Sequence, residues 1–242
     1  MHVYPIVAAA VWGMASGLLL PRAAHRLAVP SGEPWAAGCR AGHPLPAGPR
    51  GWVGPAHCAG CDGSGRVSVA GLLPAVLCAA LCAGVAAVAG AHPELVVWLL
   101  LIPVGLALAL VDVRVFRLPD VLTLPALGGT AALLGGAALL PGHEGSWPRA
   151  LLGAVALGVL YMVLFLVNPA GMGFGDVKLA PTLGLVLGWY GWTSVVRGTL
   201  AAFLLGAVVG LGLLATGRAH RKTPIPFGPF MLAGSALALL LT

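Results

Sequence analysis

Two short acidic motifs stand out in a chain of 242 residues that contains only seven Asp and Glu residues. The more conspicuous one is the glycine-rich stretch 171–178, in which Asp176 follows glycines at 171, 173 and 175. An Asp near the centre of a membrane-spanning helix costs about 2.5–3.5 kcal/mol, so it persists mainly where it has a function. Glycines leave the backbone open to close approach by another chain. The stretch therefore indicates an acidic site that handles peptides.

The other acidic motif runs from Asp112 to Asp120 and contains Arg114, Arg117 and Pro119. Asp112 ends an apolar run, where the free carbonyls of a helix C-terminus disfavour a negative charge. It is either a functional carboxylate or a boundary group paired with Arg114. Asp120 precedes the next apolar run, so we expect it to cap a helix. For Asp176 the alternative to a chemical role is a cap that opens a helix at Val177, and the two roles are compatible there.

The composition predicts a membrane protein. Hydrophobic residues make up 59% of the chain, charged residues 8%, and the mean hydropathy is +0.98. Repeated apolar runs of about 20 residues predict an all-α polytopic protein with about eight transmembrane helices. The many small residues indicate close helix packing. The predicted helices are 4–21, 69–90, 95–112, 121–141, 150–168, 178–190, 195–216 and 226–241. The predicted domains are a first transmembrane helix (1–21), a cytoplasmic loop (22–68) and a helical membrane domain (69–242).

The basic residues predict the orientation. With eight spans and an outer N-terminus, the loops that face the cytoplasm carry eleven Lys and Arg residues, against only Arg149 and Arg197 on the other side. A location in the inner or plasma membrane follows, with Asp112, Asp120 and Asp176 at the cytoplasmic boundary. The net charge of +6 then indicates topology and contact with anionic lipid, and not nucleic-acid binding. The first span lacks a positively charged leading segment, so we expect it to be retained.

The two motifs together resemble those of the prepilin peptidases, which are GxGD-type intramembrane aspartyl proteases. The family has an Asp, a short basic loop and then Leu/Ile-Pro-Asp, as in Asp112–Asp120. Its Met-Gly-x-Gly-Asp-Val-Lys-Leu signature is similar to Met172–Leu179, and its late Pro-Phe-Gly-Pro-Phe element to Pro226–Phe230. The resemblance covers roughly residues 95–242, and three motifs in the same order are far more specific than one.

The resemblance implies that Asp112 and Asp176 form a catalytic pair that activates a water molecule for attack on an amide, without a metal or a covalent nucleophile. Opposite helix dipoles favour Asp176 as the ionised base and Asp112 as the protonated acid, and Lys178 could support the charge on Asp176. The substrate-binding residues implied are Gly173, Phe174, Gly175 and Lys178. The implied substrate is a prepilin or pseudopilin, whose short basic leader stays in the cytoplasm while its apolar helix lies in the bilayer.

The loop after the first span is a candidate metal site. Cys39, His43, Cys58 and Cys61 could form a structural Cys3His zinc site, with His57 as a spare ligand. The alternative is an unstructured loop with free thiols. Bacterial members of the family often carry two Cys-x-x-Cys pairs and a second activity, N-methylation of the new pilin N-terminus. This chain has one pair, and its segment 16–22 lacks the family's Asn, which puts methylation in doubt.

Three other functions stay open on the sequence alone. The enzyme could also methylate the mature pilin, or the chain could be a non-catalytic scaffold for pilus assembly. The third is a transporter in which Asp112 and Asp176 relay protons. A transporter would show paired broken helices and a repeat between its halves, and we find neither in the sequence.

Overall fold

All regular elements of the computed structural model are helices. It describes residues 3–30, 32–39, 41–54, 58, 60–61, 69–169, 171–218, 220 and 223–241. The α-helices are α1 (Val3–Leu27), α2 (Val69–Ala89), α3 (Leu95–Val115), α4 (Asp120–Ala137), α5 (Trp147–Val167), α6 (Phe174–Tyr190), α7 (Trp192–Ala215) and α8 (Gly228–Leu240). The predicted all-α class is confirmed.

Six of these helices are long and apolar enough to cross a membrane: α1, α2, α3, α4, α5 and α7. The chain is therefore a polytopic membrane protein. The 17 residues of α6 rise only about 26 Å, less than the roughly 30 Å of a hydrocarbon core. Twelve residues of α6 are buried, among them Val177 and Trp189, so its neighbours shield it from lipid along most of its length. α6 packs against α4, α5, α7 and α8.

Loop contacts define the two ends of the helix bundle. At one end, which we call the carboxylate end, Arg117 Nη1 donates to the carbonyl of Pro30 (3.2 Å), and the Gly228 amide donates to Asp112 Oδ2 (3.1 Å). At the opposite end, Glu94 Oε1 accepts hydrogen bonds from Trp189 Nε1 (3.2 Å) and from the Glu144 amide (3.0 Å). Glu94 is fully buried. The α3–α4, α5–α6 and α7–α8 connections therefore share one end with the loop that follows α1.

Glycines let three pairs of helices meet backbone to backbone, in keeping with the small-residue packing that the composition indicates. In the α1–α2 pair, a Cβ added at Gly13 would lie 2.5 Å from the carbonyl oxygen of Cys78. In the α5–α6 pair, a Cβ at Gly184 would overlap the backbone of Gly153. In the α7–α8 pair, a Cβ at Gly234 would lie 2.5 Å from the carbonyl oxygen of Gly198. No side chain fits at these contacts.

The predicted end of the first helix at residue 21 is wrong. α1 continues through Pro21 to Leu27, beyond the end of the apolar run. Arg22 Nη1 donates to the Arg50 carbonyl, and Arg26 Nη2 donates to the Pro46 carbonyl (3.0 Å). These bonds anchor the loop to the polar last turns of α1. A prediction from hydropathy misses these turns because they lie beyond the apolar run.

Candidate active site

Asp112 lies in the last turn of α3 and is buried, with 4% of its surface exposed. Its Oδ2 accepts a hydrogen bond from the Gly228 amide at the start of α8. The helix ends at Phe116, which has the left-handed conformation (φ 53°) and donates its amide to the Asp112 carbonyl (2.8 Å). Phe116 is the only non-glycine residue with positive φ in the described part of the chain. This unfavourable conformation turns the chain sharply toward the next motif.

Asp176 lies in the first turn of α6 and is also buried, with 5% of its surface exposed. The alternative, that Asp176 caps a helix opening at Val177, is wrong, because α6 begins at Phe174 and Gly173 is the N-cap. Asp176 is the third helical residue, and its Oδ2 accepts the Gly173 amide (3.2 Å) as the acidic member of a capping box does. The positive end of the α6 dipole thus faces this carboxylate.

Leu118 of the α3–α4 connection packs between the segments that hold the two carboxylates. A Cβ added at Gly175 would lie 2.9 Å from Leu118 Cβ, and one added at Gly228 would lie 3.4 Å from Leu118 Cδ2. The Asp112 and Asp176 carboxyl groups are close enough to interact electrostatically. The chain therefore brings both predicted catalytic residues into one buried site, built from the end of α3 and the starts of α6 and α8.

Lys178 contacts a different carboxylate from the one expected. Its ammonium group donates to both oxygens of Asp120 (2.7 and 2.8 Å) and lies 5.1 Å from the centre of the Phe174 ring. Asp120 is the first residue of α4 and makes no capping hydrogen bond, so the expectation that it caps this helix is wrong. The ion pair instead connects the starts of α4 and α6, and it is partly exposed.

The other predicted substrate-binding residues surround the start of α6. Phe174 is about half exposed, and its ring centre lies 5.4 Å from that of Phe165. Gly173 has room for a further atom, since an added Cβ would make only an ordinary contact with Asp176 Oδ2 (3.4 Å). Gly175 has none, because Leu118 of the same chain occupies that space.

Two further groups form part of the site without a role predicted from the sequence. One is the Gly228 amide, which lies 116 residues from Asp112 in the chain. The other is Tyr161 of α5, a buried side chain within electrostatic range of Asp176. The Pro226–Phe230 motif was the available signal for Gly228. Nothing in the sequence around Tyr161 distinguishes it from other apolar helix positions.

The four loop residues predicted to bind a metal do converge. The Sγ atoms of Cys39 and Cys61 are 3.6 Å apart, His43 Nδ1 is 3.2 Å from Cys61 Sγ, and Cys58 completes a group whose ligand atoms all lie within 4.8 Å of one another. Zinc–sulfur bonds of about 2.3 Å in a tetrahedron place sulfurs about 3.8 Å apart, close to the observed spacing. The cluster can therefore hold a metal ion. His57 lies outside the described residues.

The electrostatics of this cluster suit a cation. Burial opposes ionisation of Cys39, but hydrogen bonds from the Ala41 backbone and the Cys61 thiol outweigh it and lower the pKa of Cys39 to about 6. The hydrogen bond with Cys39, together with burial, raises the pKa of Cys61 to about 11. The two thiols thus share one proton, which lies on Cys61. A bound cation would favour the loss of this remaining proton, because a thiol binds a metal as its thiolate.

Taken by its geometry, the carboxylate site can perform acid–base chemistry. Two buried carboxyl groups that interact electrostatically disfavour simultaneous ionisation, so one can act as an acid while the other acts as a base. A water molecule between them would have a base on one side and an acid on the other. That is what the hydrolysis of an unactivated amide requires.

Comparisons with known proteins point to the same region. The sequence profile of the type IV leader peptidase family matches residues 99–214. A prepilin leader peptidase/N-methyltransferase of Aeromonas hydrophila is 36% identical over 190 residues, which cover 76% of this chain and 62% of the relative. The protein of the same name from Pseudomonas putida is 37% identical over 192 residues, with the same coverage of both chains. In Aeromonas salmonicida such a protein is 39% identical over 145 residues, covering 59% of this chain and 48% of the relative.

The chain thus spans at most about three fifths of these curated relatives. No solved structure matches the chain. The profile match contains both Asp112 and Asp176, which the fold brings into one site. Through residues 99–214, this chain is similar to the type IV leader peptidase family.

Proposed function

We propose that this protein is a membrane-embedded aspartyl endopeptidase that removes the short basic leader from prepilin-like or pseudopilin-like substrates. The observation that carries the proposal is the pairing of Asp112 and Asp176, two buried carboxylates on different helices with a backbone amide donating to each. The positive-inside pattern supports an inner-membrane location with the carboxylate end in the cytoplasm, where a basic leader would remain.

The reaction needs no covalent intermediate. Asp176 takes a proton from a water molecule as the water oxygen attacks the scissile carbonyl carbon, and the protonated Asp112 donates to the leaving nitrogen as the carbon–nitrogen bond breaks. The Gly173 and Gly228 amides fix the two carboxyl groups against rotation. Gly173, Phe174 and Lys178, at the start of α6, are proposed to contact the substrate. Gly175 is proposed to contact it through backbone atoms only, because Leu118 occupies the space beside its Cα.

The test is cleavage by Asp112→Asn and Asp176→Asn, each expressed with a prepilin that has a basic leader. Both side chains keep their size but lose the ability to exchange a proton, so cleavage should fall by about 10²–10⁴-fold or more. A mobility shift on a gel measures leader removal, and immunoblotting of the membrane fraction checks insertion. Full processing by either variant would exclude the two-carboxylate mechanism.

We also propose that the loop cluster of Cys39, His43, Cys58 and Cys61 holds one structural zinc ion, since its donor set and spacing fit tetrahedral coordination. Purified protein should contain about one zinc per chain by elemental analysis, and Cys58→Ser should lose it. Cys82→Ser is the matched control, because that thiol is buried in α2, away from the cluster. Protein without zinc would contradict the assignment. Leader cleavage should survive zinc loss in part, since the carboxylates lie on other elements.

The names of the relatives include N-methyltransferase activity. The proposal covers cleavage alone, because segment 16–22 lacks the Asn that the family pattern carries there.

A further inference from the structure

An apolar cavity of about 410 Å³ begins next to the candidate active site and extends into the membrane-embedded part of the protein. Leu108 lies four residues before Asp112 on α3, and Leu179 lies three residues after Asp176 on α6, so the cavity starts about one helical turn from each carboxylate. On α8 its lining begins at Pro229, the residue after Gly228. The cavity thus begins about one helical turn from the site at which cleavage is proposed.

From there the cavity runs toward the opposite end of the bundle. Its lining on α8 extends from Pro229 to Leu240, a rise of about 16 Å at 1.5 Å per residue. On α3 it reaches back to Trp98, and on α6 it reaches Val186. Leu81 of α2 and Ala126 of α4 complete the margins. The wall is almost wholly aliphatic and aromatic, so it excludes charged ligands.

Two hydroxyl groups interrupt this apolar wall. Thr182 of α6 is 1% exposed, and its Oγ1 is buried without a hydrogen-bond partner. Ser235 of α8, 5% exposed, lines the same cavity. A helical Thr usually bonds the carbonyl four residues earlier, as Thr199 does here with Val195 (2.7 Å). An unpaired buried hydroxyl costs free energy, which indicates that the partner of Thr182 arrives with a ligand.

An intact helix would leave Thr182 Oγ1 without a partner, because the amides and carbonyls of a helix already bond to one another. An extended chain at about 3.3 Å per residue would place about five residues along the roughly 16 Å of cavity lining on α8. Extended backbone in an apolar setting needs hydrogen-bond partners, and two hydroxyls supply some of them. A lipid acyl chain would fit the apolar wall but would leave Thr182 unpaired.

We propose that this cavity binds the apolar residues that directly follow the scissile bond of the substrate, in an extended form, with Thr182 hydrogen-bonding to their backbone. This rests on the proposed peptidase function. An amide inside a helix is enclosed by its own hydrogen-bonded turns, so the segment at the cut must unwind before water can attack. The cavity stabilises the unwound segment, and Thr182 is a residue that selects for it.

Thr182→Val removes the hydroxyl with almost no change of shape and should lower kcat/KM for a prepilin about three- to tenfold, the value of one hydrogen bond. Thr182→Ser should stay within about twofold of the wild type. Because the hydroxyl is unpaired without substrate, Thr182→Val should melt no lower than the wild type. A purely structural Thr182 would instead lose stability and activity together, and that outcome would overturn its role. Wild-type kcat/KM in Thr182→Val would overturn it as well.

Occupancy of the cavity can be tested without catalysis. A photo-crosslinking benzoylphenylalanine at Ala236, on the cavity wall, should crosslink to the first residues of the mature part of the substrate in the Asp112→Asn background. The same group at Ala207, exposed on α7, is the control and should not crosslink to the substrate. In a protein with Asp112 and Asp176 intact, Ala236→Leu should reduce the cleavage rate at least tenfold. Ala207→Leu should leave the cleavage rate unchanged.

The outcomes separate the two proposals. Crosslinks from Ala236 to lipid alone, or unchanged cleavage by Ala236→Leu while the wild type is active, would overturn the cavity assignment and leave the peptidase standing. A wild-type protein that cleaves no prepilin would overturn both.

Discussion

Gly173 and Gly175 lie two residues apart at the start of α6, yet their surroundings differ. A methyl group on Gly173 would make an ordinary contact with Asp176, whereas one on Gly175 would press against the Cβ and amide of Leu118 (2.9 and 3.2 Å). Leu118 belongs to the connection that follows Asp112. Gly175 therefore sets the spacing between the two elements that carry the carboxylates.

We expect Gly175→Ala to lower kcat/KM for a prepilin at least tenfold, since a displacement of about 1 Å in an active site can cost up to 10²-fold. Gly212→Ala in α7, where an added Cβ would meet nothing within 4 Å, is the control and should lose less than about threefold. The measurement is the rate of leader removal at equal amounts of membrane-inserted protein. Equal rates for the two variants would show that the contact with Leu118 does not position the carboxylates.

At the scale of single residues, the sequence predicted which carboxylates form the site but not which groups bond to them. Asp112 and Asp176 stand out because acidic residues are rare in so apolar a chain. The amide that donates to Asp112 comes from Gly228, 116 residues away, and only the fold determines such a contact. The partner of Lys178 was expected to be Asp176 because the two are near in sequence, but a helix places Lys178 against Asp120 instead.

At the scale of secondary-structure elements, the apolar runs predicted all eight α-helices of the described residues, but several of the predicted helix ends were wrong. The helix ends differ because hydropathy indicates where the apolar run ends, whereas a helix ends where its backbone hydrogen bonds end. α6 begins at Phe174, four residues before its predicted start, because Gly173 and Asp176 satisfy each other as a cap. The Asp120–Lys178 ion pair then connects the first turns of α4 and α6.

This pair allows a substrate contact of Lys178 to be distinguished from a structural one. Asp120→Asn and Lys178→Met remove the same partly exposed ion pair, so both should lower stability by no more than about 1 kcal/mol. If Lys178 also contacts the substrate, as we propose, Lys178→Met should lower kcat/KM several-fold more than Asp120→Asn. Thermal melts in detergent and cleavage rates measure the two effects. Equal losses of kcat/KM would limit Lys178 to the ion pair.

For the whole molecule, the separation of the two ends makes the predicted orientation testable. The carboxylate end includes the basic loop after α1, and the opposite end includes the Glu94–Trp189 contact and an ion pair between His92 and Glu144 (3.2 Å). Hydrogen bonding to the Gly142 carbonyl and the nearby Glu144 raise the pKa of His92, which favours this pair. The charge bias of the sequence predicts the orientation, and only the fold shows which loops share an end.

We expect a cysteine at Leu139 to face the outside and one at Thr216 to face the cytoplasm, because both positions are exposed but at opposite ends of the bundle. In a background without Cys39, Cys58 and Cys61, a membrane-impermeant maleimide added to spheroplasts should label Leu139→Cys alone. Permeabilised cells should allow labelling of both. The reverse pattern in spheroplasts would invert the topology and place the carboxylates outside.

The glycine contacts divide the bundle into parts of different stiffness. The α1–α2, α5–α6 and α7–α8 pairs meet through backbone atoms, which cannot change rotamer, so each pair moves as one body. α3 and α4 lack such contacts: Gly105 of α3 faces only the Leu232 side chain, and added Cβ atoms at Gly128 and Gly136 of α4 would meet nothing within 4 Å. Asp112 therefore lies on the compliant part and Asp176 on a stiff one. A gap wide enough for a peptide should open by displacement of α3 and α4, and the two carboxylates would then meet around water only when those helices return.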